Sequence, residues 1–282
     1  MPQYSVGILV IIGGAEDKEN KCLILKRVTQ LAGGQEGRLV LISTATENPE
    51  EVGEEYKRIF LRLGLKRVIN LCLSTREQAE EQKAVEEIRG ATAIFFTGGD
   101  QLRITSILGG TAVDLAVYEA YRRGTVIAGT SAGASAMSNT MIVEGNSDEG
   151  PKQNTVKMAP GLGLLDQVVI DQHFAQRGRL GRLLAAVAQN PNILGIGIDE
   201  DTAIEVNKGL FRVIGSQTVT IIDGRQILYT NASEADPRQP LALSNVTLHV
   251  LPPGYGYDLR TRQPLLYKVS DNEEEKPCTS WK

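Results

Sequence analysis

Histidine is almost missing from this chain, with two among 282 residues, His173 and His249. Cysteine is scarce too: Cys22, Cys72 and Cys278 lie far apart and are odd in number. Zinc needs several close-spaced nitrogen and sulfur ligands, so this distribution argues against a metal site. Scattered thiols give no disulfide framework and point to a reducing compartment, so the expected location is the cytoplasm. No apolar run reaches the ~18 residues that span a bilayer, and no membrane partner is expected. The opening MPQYSVGILVIIGG has its first cation at Lys18 and reads as a first strand rather than a signal peptide. The net charge is −4 with no sustained basic block, which excludes nucleic acid as an expected partner. Also missing are a Gly-x4-Gly-Lys-Ser/Thr loop and a Gly-x-Gly-x-x-Gly turn after a strand. GLGLLD (161–166) begins like the latter but lies in the wrong context. Nucleotide-dependent chemistry is therefore demoted, and no cofactor is expected.

What remains is an ordinary globular composition, 41% hydrophobic and 23% charged. Short apolar runs alternate with helical patterns. Strands are predicted at 5–12, 38–44, 66–73, 92–99 and 125–129, with helices over 18–32, 49–63, 75–89 and about 101–123. Strands apolar on both faces and separated by helices imply a parallel sheet with covered faces. The polar, Gly- and Pro-containing stretch 144–163 reads as one long loop. A strand follows at 167–174, then an amphipathic helix over 178–190 with Leu180, Leu183, Leu184 and Val187 on one face, then a strand at 192–200. Short strands between turn signals fill 202–269. The expected fold class is α/β, a mostly parallel sheet flanked by helices with extra C-terminal strands. Residues 1–270 are expected to form one domain, and 271–282 an acidic polar tail.

Chemistry concentrates at strand ends. VIAGTSAGASAM (126–137) carries Gly129-Thr130-Ser131-Ala132-Gly133 directly after an apolar run. Such an elbow lifts the serine hydroxyl out of a sharp strand-to-helix turn, and glycines flank it because a Cβ would clash. A serine nucleophile needs a base. His249 sits in the alternating run NVTLHVL with no polar constellation and reads as structural or surface. His173 ends QVVIDQHF, on the edge where parallel sheets form active sites, among Asp171, Gln172, Gln176, Arg177, Arg179 and Arg182. The third group lies in Asp199-Glu200-Asp201, and spacing alone leaves Asp199 and Glu200 both open. The order serine, histidine, acid differs from that of α/β-hydrolases, where the acid precedes the histidine. FFTGGDQ (95–101) ends its strand in paired glycines, so the N–H groups of Gly99 and Ala132 are candidates for an oxyanion hole. IIGGAED (11–17) ends its strand in the same way; bordering the same cleft is one reading and a plain turn the favoured one.

Taken together, IGGAEDK (12–18), FFTGGDQ (95–101), GTSAGASAM (129–137), DQHFAQRGRLGRL (171–183) and GIDEDTA (197–203) resemble the cyanophycinase and peptidase E family of serine peptidases. The resemblance spans about residues 5 to 206. It implies a flavodoxin-like fold related to class I glutamine amidotransferases, with Ser131 as nucleophile, His173 as base and Glu200 as acid. It implies a homodimer. Its substrate would be cyanophycin, a polyaspartate bearing arginine on each side-chain carboxyl, and its product the β-aspartyl-arginine dipeptide, with attack expected at the isopeptide carbonyl. Local chemistry fits a substrate rich in carboxylates and guanidinium groups. Arg177, Arg179 and Arg182 can pair with carboxylates, Asp171 and Gln172 can accept from a guanidinium, and Gln101 can hold a backbone group. Weighed beside this are a dipeptidase for short aspartyl or isoaspartyl peptides, a non-catalytic protein of storage granules, and a lipase-like esterase that the residue order disfavours.

Overall fold

The computed structural model describes residues 6–145 and 150–266. The expected tail over 271–282, with Cys278, lies outside the described residues. The first five strands are β1 (Leu9–Ile12), β2 (Arg38–Ile42), β3 (Arg67–Leu71), β4 (Ala93–Phe96) and β5 (Val126–Thr130). They run parallel in the order β1-β5-β4-β2-β3. Side chains alternate between two buried faces. Leu9, Ile11, Val40, Ile42, Ile94, Phe96 and Ile127 enter one core, and Val10, Ile12, Leu39, Leu41, Phe95 and Ala128 the other. That double burial is why β1, β2, β4 and β5 read as continuous apolar runs, whereas β3, at the sheet edge, buries only Val68.

Helices α1 (Leu23–Leu31) and α2 (Pro49–Arg62) cover the second face, through Ile24, Leu25 and Val28 and through Tyr56, Ile59 and Phe60. In α2 a proline opens the first turn, Glu50 and Glu51 face the positive helix end, and Arg62 lies in the last turn. Helices α3 (Gln82–Arg89), α4 (Gln101–Leu108) and α5 (Ala112–Arg122) cover the first face. Asp100 caps α4 by accepting from Leu102 N–H at 2.8 Å, and Thr111 caps α5. The short α6 (Ala132–Ser135) follows β5 directly.

Beyond α6 the chain departs from the expected single loop. Strands β6 (Thr140–Gly145) and β7 (Val156–Pro160) form an antiparallel ribbon, so only part of 144–163 is loop. Most ribbon residues are at least partly exposed, and Glu144 stands opposite Lys157, so no clean alternation marks the strands. Next come β8 (Val168–Gln172), α7 (Leu180–Gln189) and β9 (Leu194–Ile198). Leu183, Ala186 and Val187 of α7 pack on Ile222 and Phe174, whereas Leu180, expected on that face, is exposed. The remaining strands are β10 (Thr202–Asn207), β11 (Leu210–Gly215), β12 (Val219–Asp223), β13 (Tyr229–Thr230), β14 (Leu243–Ser244), β15 (Thr247–Leu251), β16 (Gly256–Asp258) and β17 (Gln263–Leu265).

These strands divide between two larger sheets. β10, β11, β16 and β17 extend the parallel sheet beyond β1 with antiparallel pairings, giving nine strands in all. β8 and β9 pair in parallel and join β12 and β15 in a four-stranded sheet. Ile170, Ile196, Ile198, Val219 and Ile221 of this second sheet share the core that holds Leu9 and Ile11. The C-terminal ends of β1 and β5 in one sheet thus come close to those of β8 and β9 in the other.

Candidate active site

Ser131 is the first residue after β5, with φ 52 and ψ −111, a backbone that L-residues rarely adopt. Its N–H donates to Ile12 O at 3.0 Å, which pins the turn to the end of β1. The flanking glycines have steric reasons. A Cβ on Gly129 would lie 2.7 Å from the carbonyl of Gly133 and from Met137 Cε, and one on Gly133 would lie 2.7 Å from Phe96 Cβ. β5, β4 and α6 can pack this closely only without those side chains.

His173 follows β8 and is also held at positive φ, 47. Its Nε2 lies 3.0 Å from Ser131 Oγ and its Nδ1 lies 2.6 Å from Glu200 Oε1. With Nδ1–H donating to the carboxylate, Nε2 is left as the acceptor for the serine hydroxyl. Glu200 rather than Asp199 faces the imidazole. Asp199 is buried and accepts from Ala175 N–H, Thr218 N–H and Thr218 Oγ–H, so it fastens the β8 and β9 ends. Gln176 holds the acid's own backbone, its Oε1 accepting from Glu200 N–H at 3.1 Å.

Of the two readings of IIGGAED, a plain turn or a border of the cleft, the structure has the second. His173 N–H donates to Gly13 O at 2.7 Å and Asp201 N–H donates to Gly14 O at 2.9 Å. A Cβ on Gly14 would strike the His173 ring, so this glycine, at φ 98, is a floor for the imidazole. The sequence signal was the glycine pair itself, the same device as in FFTGGDQ. Gly98 lies against Ser131, where a Cβ would meet the serine Cβ at 3.4 Å. The N–H groups of Gly99 and Ala132 have no acceptor among the described residues. Free donors beside a hydroxyl–imidazole–carboxylate chain can stabilise the oxyanion of acyl transfer.

The polar residues beyond the relay fall into two groups. Asp171 is 0% exposed, and both its oxygens are taken by arginines. Arg182 Nε donates to Oδ2 at 2.7 Å and its Nη2 to Oδ1, while Arg179 Nη1 donates to Oδ1 at 3.3 Å and to Gln172 O. Burial pushes the Arg179 guanidinium down to about 10, against the Asp171 charge that favours its protonation. These three side chains hold each other inside the fold. The Gln101 amide is likewise engaged, donating to Ile142 O at 2.8 Å and Val143 O at 3.1 Å. Gln172 does reach the site. Gln172 Oε1 lies 3.4 Å from Ser131 Oγ, and Arg177 is exposed just past the imidazole, with no side-chain partner among the described residues. His249 lies on β15 with its ring against Tyr257, away from the relay. Among the described residues no cluster of three or more His, Cys, Asp or Glu could hold a metal ion, and no helix is long and apolar enough to cross a membrane.

Residues 9–214 match Peptidase family S51. The chain belongs to peptidase family S51. A cyanophycinase of Geminocystis herdmanii (strain PCC 6308) is 42% identical over 267 residues, covering 94% of this chain and 98% of that relative. One from Nostoc sp. is 39% identical over 273 residues, covering 95% and 92%. The crystal structure of a peptidase from an acI-B1 Actinobacterium superposes with a TM-score of 0.63 at 23% identity, over 86% of this chain and 97% of that one. It shares the fold.

For this S51 peptidase the state of His173 governs the relay. Burial lowers its pKa from the ordinary imidazole value, the bond to Glu200 opposes that, and the nearby Arg177 charge adds to the lowering. The imidazole is therefore neutral and able to accept a proton at neutral pH. The acidic limb of kcat/KM should fall below the usual imidazole range. Arg177→Ala should move that limb up, and Glu200→Gln should move it down while cutting kcat about a hundred-fold or more. A pH–rate series on the three proteins checks the signs. The Asp171 cluster gives a separate expectation. Asp171→Asn leaves two buried arginines uncompensated and should lose about 3–5 kcal/mol in chemical denaturation. Its folded fraction should keep the wild-type KM, where a substrate-binding aspartate would raise it.

Proposed function

We propose that the chain is a serine-type exopeptidase that hydrolyses cyanophycin to β-aspartyl-arginine dipeptides through an acyl-enzyme. The observation that carries this reading is the continuous chain from Ser131 Oγ through the His173 ring to Glu200, at 3.0 Å and 2.6 Å. Support for the substrate comes from relatives named cyanophycinase at 39–42% identity over most of the chain. In this mechanism His173 Nε2 takes the Ser131 proton as Oγ bonds to the substrate carbonyl carbon. The Gly99 and Ala132 N–H groups receive the oxyanion. The protonated imidazole, held by Glu200, gives its proton to the leaving amine as the C–N bond breaks. Water, deprotonated by His173, then attacks the acyl carbon, and His173 returns that proton to Ser131 Oγ as the C–Oγ bond breaks and the acid is released. The dipeptide product keeps its side-chain amide, so the bond broken is a backbone peptide bond, and the expected attack on the isopeptide carbonyl is corrected.

The exposed Arg177 guanidinium suits the free carboxylate that each arginyl branch carries. Asp171, Arg179 and Arg182 suit a different task, the rigid support of the His173 turn. The reading includes a homodimer in the cytoplasm, the latter supported by free thiols at Cys22 and Cys72. Ser131→Ala should fold with an unchanged melting temperature and release no dipeptide from purified cyanophycin above background, a loss of about 10³-fold or more. Full activity in that variant removes the proposal. Faster turnover of free aspartyl dipeptides than of polymer would replace the substrate and keep the relay.

A further inference from the structure

Glu16 takes no part in the relay, yet it is a carboxylate with 4% exposure immediately beneath it. Its Oε1 accepts from the Tyr56 hydroxyl at 2.6 Å and its Oε2 accepts from the Thr130 hydroxyl at 2.6 Å. A buried charge survives only where hydrogen bonds offset its lost hydration, and two short O–H donors supply that here. Burial first, and then the Glu16 charge, push the Tyr56 phenol well above its ordinary value, so it stays a donor. Tyr56 itself is locked among aromatic rings, with Phe95 at 5.0 Å and Phe60 at 6.4 Å between centroids. Glu16 is thus anchored to α2 on one side and to the residue before the serine on the other.

The placement of Glu16 in the chain gives that anchor a consequence. Two residues earlier, Gly14 lies against the His173 ring, and Gly13 O accepts the His173 N–H. Between them Ala15 sits at φ 46, a backbone that persists only where its surroundings hold it. The Glu16–Thr130 bond therefore closes a short loop, running from the imidazole floor to the elbow that carries the hydroxyl. We propose that Glu16, with Tyr56 and Thr130, is a positioning residue that sets the separation of Ser131 Oγ from His173 Nε2. The inference rests on the reading of Ser131 as nucleophile.

The test is the rate at which a small fluorophosphonate labels Ser131, since that probe needs the relay but few substrate contacts. In Glu16→Ala the rate should fall about ten- to hundred-fold, with kcat on cyanophycin falling in parallel and KM unchanged. Glu16→Gln can still accept from one hydroxyl and donate to the other, so it should recover to within roughly three-fold of wild type. Should Glu16→Ala not fold, Thr130→Val removes one arm while keeping the branched shape, and should slow labelling roughly three- to ten-fold. Wild-type labelling by folded Glu16→Ala or Thr130→Val overturns the proposal, as does a Glu16→Gln rate as low as that of Glu16→Ala. Failure of the wild-type protein to label at Ser131 is distinct, because it removes the nucleophile reading beneath it.

Discussion

Hydrogen bonds from residues 12–17 to three other strand ends hold the reacting groups together. Ile12 O takes the N–H of Ser131, Gly13 O that of His173, and Gly14 O that of Asp201, the residue after the acid. Gly13 N–H donates to Thr202 O, and Asp17 N–H donates to Asp201 Oδ1 at 2.8 Å. One segment of β1's trailing end therefore fixes groups from two sheets. It can do so because β1 has β5 as a parallel neighbour and β10 as an antiparallel one. Backbone strain gathers at the same place. Gly14, Ala15, Ser131, His173 and Asp201 all have positive φ. Each such residue costs about 1–3 kcal/mol unless it is glycine, and persists only in over-determined surroundings. The ladder of bonds from 12–17 is that over-determination.

Two carboxylates near His173 do opposite work, and solvent separates them. Asp171 is sealed and fully engaged by two arginines, whereas the Glu200 side chain is 36% exposed and bonded to one imidazole nitrogen. A buried ion pair with excellent geometry is a fixed part of the fold, because removing either partner strands the other charge. A carboxylate beside a histidine in partial contact with water can follow the imidazole as it gains and loses charge. The Asp171 cluster sits directly under the end of β8, so it stiffens the turn that presents His173.

Much of this was legible in the sequence, for physical reasons. Strands buried on both faces must be apolar throughout, so β1, β2, β4 and β5 announce themselves. With two histidines in the chain, the partner of Ser131 was nearly forced to be His173. Other features leave no local mark. Nothing in the spacing of Asp171, Arg179 and Arg182 says they meet inside the fold, because a turn intervenes and arginine usually faces water. Nothing local marks Glu16 for burial, since its partner Tyr56 lies 40 residues away. β8 and β9 are as apolar as β1 to β5, so a second sheet looks like a continuation of the first. Spacing alone leaves Asp199 and Glu200 both open; the family resemblance points to Glu200, and the chain's path after Ile198 puts its carboxylate on the imidazole.

That path also explains the order serine, histidine, acid. β5 ends in the nine-stranded sheet and delivers Ser131. The chain then leaves for the second sheet, where β8 delivers His173 and its parallel neighbour β9 ends at the same edge. To return, the chain must cross from β9 in one sheet to β10 in the other, and β10 pairs with β1, Ile12 opposite Ala203. The crossing residues, Asp199 to Asp201, consequently run past the end of β1 and beside His173. A carboxylate there reaches Nδ1 without a dedicated loop. In this topology the acid follows the histidine because the connection between the two sheets does, and the residue order is a trace of how the two sheets are joined.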